Sequence, residues 1–144
     1  RYHNELTLIF FDLDYFKTIN DQHGHKIGDD VLKEFTRLIS GKIRKTDVFS
    51  RWGGAEFAIL LPETCLATAI QTAEKLRSET ENHLFPYVGK ITASFGVSQF
   101  LDGDNENTFI NRADNALYKA KRNGRNRIEV LPSSDSLLHT FSRT

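Results

Sequence analysis

The fold is decided by the stretch Leu6-Thr7-Leu8-Ile9-Phe10-Phe11-Asp12-Leu13-Asp14. A nearly continuous apolar run of this length, broken only by β-branched Thr7, is typical of a strand buried on both faces. The two carboxylates follow directly at its C-terminal end, the position where open sheets commonly hold their sites. We therefore expect a central strand that carries Asp12 and Asp14 into a functional site.

The pattern downstream of this strand predicts a helix and then a hairpin. After a polar loop that contains Gly24 and Gly28, apolar residues recur at three- and four-residue spacing over residues 27–43, as an amphipathic helix requires. Residues 48–52 and 56–61 are strand-like and flank a Gly-Gly pair, which supplies the positive φ angles of a tight turn.

The rest of the pattern predicts a helix over 66–82, a strand over 87–100 interrupted at Gly96, a helix over 108–122 and a strand over 127–131. This order predicts an α+β fold, in which helices pack on a mainly antiparallel sheet. We interpret residues 1–132 as one domain and residues 133–144, which follow Pro132 and are rich in serine, as a flexible tail.

Composition excludes several classes of function. Nineteen basic and nineteen acidic side chains give a net charge of zero among 144 residues, so nothing general attracts the domain to nucleic acid or to a membrane surface. The apolar runs are too short to span a membrane, and no signal peptide is recognisable. The single Cys65 fits a reducing cytoplasm. The abrupt start at Arg1 predicts a piece of a longer protein.

Four stretches, in this order and spacing, together resemble the GGDEF family of diguanylate cyclases. They are Phe11-Asp12-Leu13-Asp14-Tyr15-Phe16-Lys17 with Ile19-Asn20-Asp21, Gly24-His25 with Gly28-Asp29, Arg51-Trp52-Gly53-Gly54-Ala55-Glu56-Phe57, and Ala113-Asp114 through Gly124-Arg125-Asn126. The resemblance implies a ferredoxin-like βαββαβ core of the nucleotidyl-cyclase type. It also implies that the family's N-terminal helix is missing before Leu6.

The resemblance implies a site for Mg²⁺ or Mn²⁺, with the Asp12 carboxylate and the Leu13 carbonyl as ligands. Oxygen ligands suit these hard cations, which neutralise a triphosphate during nucleotidyl transfer. Two roles fit Asp14 equally well: a structural role, and contact with a metal ligand. The family usually carries Asp or Glu where this chain has Ala55. Glu56 occupies the position of the family's second acid, to which the resemblance assigns a catalytic role. Because neighbouring side chains of a strand alternate, the Glu56 side chain is expected to point to the opposite face from that of Ala55.

For the nucleotide, the resemblance assigns guanine recognition to Asn20 and Asp29, because a carboxylate and an amide match the donor and acceptor edge of guanine. It assigns the phosphates to four residues: the backbone of Phe16 and the cations of Lys17, Lys121 and Arg125. From the residues alone, Asn20 is equally a turn residue and each basic side chain is more often a solvated charge.

A further pair, Arg44 and Asp47, lies upstream of the Gly-Gly turn where the family carries its Arg-x-x-Asp inhibitory site for cyclic di-GMP. An arginine fork suits the O6 and N7 edge of guanine, while an aspartate suits N1-H. A chance ion pair near a hairpin is the alternative explanation.

The implied function is the condensation of two GTP molecules into cyclic di-GMP and pyrophosphate by two facing copies of the domain. The implied partners are GTP, cyclic di-GMP, a second copy and an N-terminal sensor or regulatory domain. Ala55 cannot ligate a cation, so we expect impaired turnover. One alternative is a degenerate module that only binds GTP or cyclic di-GMP. Another is a working cyclase into which Ala55 was introduced.

Overall fold

The computed structural model describes residues 5–132, so the predicted tail at 133–144 lies outside the described residues. The elements are β1 (Leu6–Leu13), α1 (Phe16–His23), α2 (His25–Ser40), β2 (Val48–Gly53), β3 (Glu56–Pro62), α3 (Leu66–Asn82), β4 (Ala93–Gln99), α4 (Glu106–Arg122) and β5 (Ile128–Val130). No helix in this range combines the length and apolarity needed to cross a membrane.

The five strands form one sheet in the order β2-β3-β1-β4-β5, which confirms the predicted α+β fold. β1 pairs antiparallel with both β3 and β4, and β2 pairs antiparallel with β3. Only β5 runs parallel to its neighbour, β4. The strand that ends in the two acids is therefore central, with a neighbour on either side.

Both faces of β1 are buried, as its sequence predicts. Alternating side chains Ile9, Phe11 and Leu13 join the larger core, which α2 and α3 cover. Leu8 and Phe10 join a smaller core against α4 on the opposite face. Because successive side chains of a strand point to opposite faces, a strand buried on both sides needs the continuous apolar run seen here.

α4 approaches β4 closely at Gly96. A Cβ built on Gly96 would lie 2.3 Å from both the Ala113 carbonyl oxygen and the Leu117 nitrogen, which belong to the helix backbone. Gly96 does not interrupt the strand, contrary to the prediction, because it continues the ladder opposite Phe10. Its missing side chain sets the distance at which α4 lies across the sheet.

Two other elements differ from the prediction. The segment expected to be a polar loop contains α1, which buries no residue completely and therefore gives no apolar periodicity in the sequence. The strand expected over 87–100 covers only Ala93–Gln99. The preceding residues form a turn closed by a bridge between Phe85 and Gly89, and Tyr87 within it has φ 67°.

The loop between β4 and α4 is held by a buried ion pair, from which a pH dependence follows. The Arg112 guanidinium donates to both carboxylate oxygens of Asp104, at 3.0 and 2.5 Å, and the side chains are 4% and 7% exposed. The backbone N-H of Leu101 and the hydroxyl of Thr108 also donate to this carboxylate. These bonds, that from Arg112 foremost, lower the pKa of Asp104 to about 2.

We expect ionised Asp104 to stabilise the fold above its unfolded-state pKa of about 3.9, and this contribution to disappear as the pH falls through about 2. Urea unfolding of an Asp104→Asn variant checks this expectation. Its free energy of unfolding should be lower than that of the unaltered chain by the largest amount near pH 7, and this difference should shrink steadily below pH 4. The exposed Asp102→Asn provides the control, and a deficit independent of pH would contradict the assignment.

Candidate active site

A pocket of about 530 Å³ opens at the C-terminal end of β1, beside the turn between β2 and β3 and the end of α4. Most of the residues that the sequence predicted for a site line this pocket. Its lining consists of Asp12, Leu13, Tyr15, Phe16, Lys17, Thr18, Asn20, Gly53, Gly54, Ala55, Glu56, Lys121 and Arg125.

Asp12 and Lys121 form an ion pair inside this pocket. The Lys121 Nζ lies 2.5 Å from Asp12 Oδ2, and the two side chains are 27% and 13% exposed. Burial raises the pKa of the Asp12 carboxyl, and the nearby carboxylates of Asp14 and Glu56 act in the same direction, whereas Lys121 lowers it. An additional cation beside Asp12 would therefore favour its ionised form.

Glu56 lies directly opposite Asp12 in the antiparallel ladder between β1 and β3. Residues paired in this way share one face of the sheet, with Cβ atoms about 5 Å apart. Both Glu56 and Ala55 line the pocket. The side chain of Ala55 packs against the larger core that contains Phe11 and Phe57, the opposite face of the sheet from Glu56, as strand alternation predicts.

The Gly-Gly turn adopts a backbone that favours glycine, with φ 148° at Gly53 and 52° at Gly54. A Cβ at either position would meet no atom within 4 Å, so conformation rather than crowding explains the pair. The Arg51 Nε donates to the Gly54 carbonyl at 2.8 Å and fixes the turn. The half-buried Ala55 follows, and its carbonyl accepts the N-H of Leu13 at 3.3 Å.

α1 begins at the pocket. The first N-H groups of a helix lack partners within the helix, and here Phe16, Lys17 and Thr18 all line the pocket. The residue before them, Tyr15, caps the helix with a left-handed backbone and makes no side-chain hydrogen bond to it. The predicted phosphate donors at Phe16 and Lys17 thus lie together with Lys121 and Arg125.

The two residues predicted to recognise guanine are placed differently. Asn20 lines the pocket, and its amide lies so close over Gly28 that a Cβ there would be 1.8 Å from the Asn20 Oδ1. The Asn20 amide can therefore occupy this position because Gly28 has no side chain. Asp29 lines a neighbouring depression of about 430 Å³, which includes Lys33 and Arg51.

The Asp14 carboxylate is buried and bonded to other segments of the protein. Its carboxylate is 3% exposed and accepts hydrogen bonds from the Thr92 and Ser94 hydroxyls, at 2.6 and 2.7 Å, and from the Asn126 backbone N-H at 3.1 Å. It thereby ties β1 to β4 and to the loop after α4. Of the two roles left open by the sequence, these contacts favour the structural one.

Arg44 and Asp47 lie away from the pocket and are paired with each other. The Arg44 Nη2 lies 2.8 Å from Asp47 Oδ1, and the Arg44 backbone N-H donates to Asp47 Oδ2 at 2.9 Å. The Arg44 side chain is 54% exposed, whereas that of Asp47 is 2% exposed. Arg44 also donates to the Thr64 hydroxyl at 2.7 Å, so the pair contacts the segment just before α3.

The geometry matches a known family. The model of the family described as "Diguanylate cyclase, GGDEF domain" matches residues 1–127. The chain belongs to the GGDEF family. Among curated relatives, this GGDEF domain is 40% identical over 129 residues to diguanylate cyclase A of Treponema denticola, which covers 87% of the chain but 35% of that protein. The chain thus spans about a third of that relative.

Solved structures agree with this assignment. The active GGEEF domain of a diguanylate cyclase from Vibrio cholerae superimposes with a TM-score of 0.83 at 41% identity, covering 89% of this chain and 83% of that one. The GGDEF domain of DgcB from Caulobacter crescentus, in complex with c-di-GMP, gives 0.83 at 32% identity, covering 88% and 77%. This GGDEF domain differs from the signatures in those names by Ala55.

One contact in the pocket has no signal in the local sequence. The Arg125 guanidinium lies over the ring of Tyr15, with its central carbon 4.7 Å from the ring centroid. The two residues are far apart in sequence, and both have left-handed backbones that no local pattern reveals, with φ 60° and 64°.

Proposed function

We propose that this GGDEF domain binds GTP together with Mg²⁺ in the pocket at the end of β1, and that two copies condense two GTP molecules into cyclic di-GMP. Ala55 reduces the rate of this reaction. One observation carries the proposal: the cross-strand pair of Asp12 and Glu56 lies in the same pocket as Lys121 and Arg125. The pocket thus combines acidic side chains that can bind a metal ion with basic side chains that can bind phosphates.

The donor set fits a hard cation. Mg²⁺ is usually bound by one or two carboxylates together with substrate phosphates, and the pocket offers two carboxylates side by side and the carbonyl of Leu13. Within residues 5–132, no group of three or more acidic, His or Cys side chains is arranged to hold a metal ion. With Ala55 in place of a third acid, the pocket offers the carboxylates of Asp12 and Glu56. Mn²⁺ suits the same ligands. The bound cation would neutralise charge on the triphosphate and help the attacking hydroxyl lose its proton.

The residues around this acid pair would bind the rest of the nucleotide. The N-terminal N-H groups of α1 and the side chain of Lys17 face the pocket and suit terminal phosphates. Asn20 suits the base, and Asp29 would contribute if guanine extended toward its neighbouring depression. Lys121 neutralises Asp12 in the structure, so Lys121 would become available to phosphates when Asp12 receives another cation.

The partners follow from the chemistry. Each product contains two guanosine units, so the 3′-hydroxyl of one GTP must reach the α-phosphate of another, and two facing domains would supply this arrangement. Arg44 with Asp47 would bind the product and regulate turnover after the exposed Arg44 side chain turns outward. An N-terminal sensor or regulatory domain in the parent protein and a cytoplasmic location remain part of the proposal.

A second candidate is a regulatory module that binds GTP or cyclic di-GMP without turning it over. Ala55 is the observation that favours it, because the methyl group replaces a potential metal ligand. The pocket residues that suit guanine and phosphate are nevertheless present. For this reason we rank it below a cyclase with reduced activity.

The role of the acid pair is tested by Glu56→Gln. We expect the affinity for GTP in the presence of Mg²⁺ to fall about 10- to 100-fold, as is typical when support for a bound metal is lost. Without a divalent cation the variant and the unaltered chain should bind GTP alike. Glu106→Gln, an exposed change in the first turn of α4, is the matched control. An unchanged affinity in Glu56→Gln would contradict metal binding at this pair.

A further inference from the structure

Arg125 is held in an unusual way for a cation that lines a pocket. Its guanidinium lies 4.7 Å from the centroid of the Tyr15 ring, within the range of a cation-π interaction. Within residues 5–132, its side chain makes no hydrogen bond or ion pair. A cation-π contact engages none of the guanidinium N-H groups in a hydrogen bond to an acceptor atom, so these donors stay available to a ligand.

The backbone on both sides of this contact is constrained. Tyr15, Arg125 and Asn126 have φ angles of 60°, 64° and 50°, in the left-handed region that residues other than glycine seldom occupy. Such conformations persist where surrounding contacts determine them, and they cluster at functional sites. Both segments therefore need contacts that hold them in place.

These contacts come from adjacent residues. The carboxylate of Asp14 accepts the backbone N-H of Asn126, while the next residue, Tyr15, contacts Arg125. Two consecutive residues after β1 thus hold two consecutive residues after α4. The Asn126 side chain is in turn bound by Arg77 and Glu81 of α3, at 3.0 and 3.1 Å. The loop that carries Arg125 is fixed from several sides.

We propose that Tyr15 is a positioning residue that holds the Arg125 guanidinium over its ring and presents the N-H donors of that group to the polyphosphate of a bound nucleotide. This inference rests on the proposed function, which it extends by a residue with no chemical group for the reaction. A guanidinium that is already held loses less freedom when it binds phosphate. Lys121 is held differently, because its ammonium group is paired with the carboxylate of Asp12.

The proposal predicts that affinity depends on the aromatic ring and not on the hydroxyl. In Tyr15→Leu we expect affinity for GTP and for inorganic tripolyphosphate, both with Mg²⁺, to fall about two- to fivefold, the range of one exposed cation-π contact. Tyr15→Phe keeps the ring and should retain the affinity. Tyr, Phe and Leu are all unbranched at Cβ, so the left-handed backbone at this position is similarly strained in each.

A double-mutant cycle in the 144-residue chain tests this by calorimetric titration with GTP and with tripolyphosphate. In the background of Arg125→Ala, which itself weakens binding, the expected result is that Tyr15→Leu has no further effect. The proposal is overturned if Tyr15→Leu binds like the unaltered chain, if Tyr15→Phe is as weak as Tyr15→Leu, or if the effect persists without Arg125.

The two proposals can fail separately. If the unaltered chain binds tripolyphosphate in a Tyr15-dependent way but does not bind GTP, the nucleotide function is wrong and the positioning role stands. If GTP binds and the Tyr15 variants do not differ, only the positioning role is wrong. Absence of binding to both ligands overturns both.

Discussion

Replacing Ala55 by glutamate should raise the formation of cyclic di-GMP at least about a hundredfold. Loss of support around a metal typically costs about 10- to 100-fold, and loss of a ligand should cost no less, or roughly 3 kcal/mol. Ala55 lines the pocket next to Glu56, which lies opposite Asp12, so glutamate at position 55 would add a carboxylate to the lining of this pocket. Chromatographic separation of nucleotides after incubation with GTP and Mg²⁺ measures the effect.

The matched control for this gain is Ala55→Gln, which has the length of glutamate without its charge. It should remain close to the unaltered chain, because a neutral amide is a poorer ligand for Mg²⁺ than a carboxylate. Equal gains from glutamine and glutamate would mean that the length of the side chain and not its charge limits turnover. No gain from glutamate would contradict the role assigned to Ala55 and favour the regulatory module.

The largest effect on stability is expected from Gly96→Ala, which should lower the free energy of unfolding by about 3 kcal/mol. The added Cβ would lie 2.3 Å from two backbone atoms of α4, the Ala113 oxygen and the Leu117 nitrogen, which cannot turn aside as a flexible side chain can. Thermal unfolding should show a Tm lower by on the order of 10 °C. Because α4 also carries Lys121, GTP affinity should fall as well.

Gly41→Ala is the matched control, since it makes the same change where space is available. Gly41 has a right-handed backbone with φ −76°, and the nearest atom to an added Cβ is the Arg37 oxygen at 3.6 Å. This substitution should leave stability unchanged or raise it by up to about 1 kcal/mol. Similar losses for both variants would show that the close approach of α4 to Gly96 is not the cause.

The sequence predicted the parts of the site that depend on local pattern. A buried strand with acids at its end predicted that Asp12 lies at the end of β1, where it lines the pocket, and the Gly-Gly pair identified the turn beside it. The resemblance to a family added Lys121 and Arg125, whose place in the pocket depends on how α4 packs across the sheet. The close contact at Gly96 is what brings the end of this helix to the end of β1.

The sequence did not predict relations that depend on pairing between distant segments. The position of Glu56 beside Asp12 follows from the register of β3 against β1, and no spacing within the hairpin determines that register. The contact between Tyr15 and Arg125 depends on left-handed backbones that hydrogen bonds from other elements support. α1 was missed for another reason, since a helix without a fully buried face has no apolar period.

We expect the pocket at the end of β1 to bind a guanine nucleotide through its phosphates, its base and a divalent cation. Calorimetric titration of the unaltered chain with GTP and with ATP, each with and without Mg²⁺, tests it most directly. GTP should bind more tightly than ATP, and Mg²⁺ should strengthen the binding of GTP. Equal affinities for GTP and ATP, or no binding of GTP with Mg²⁺ present, would contradict it.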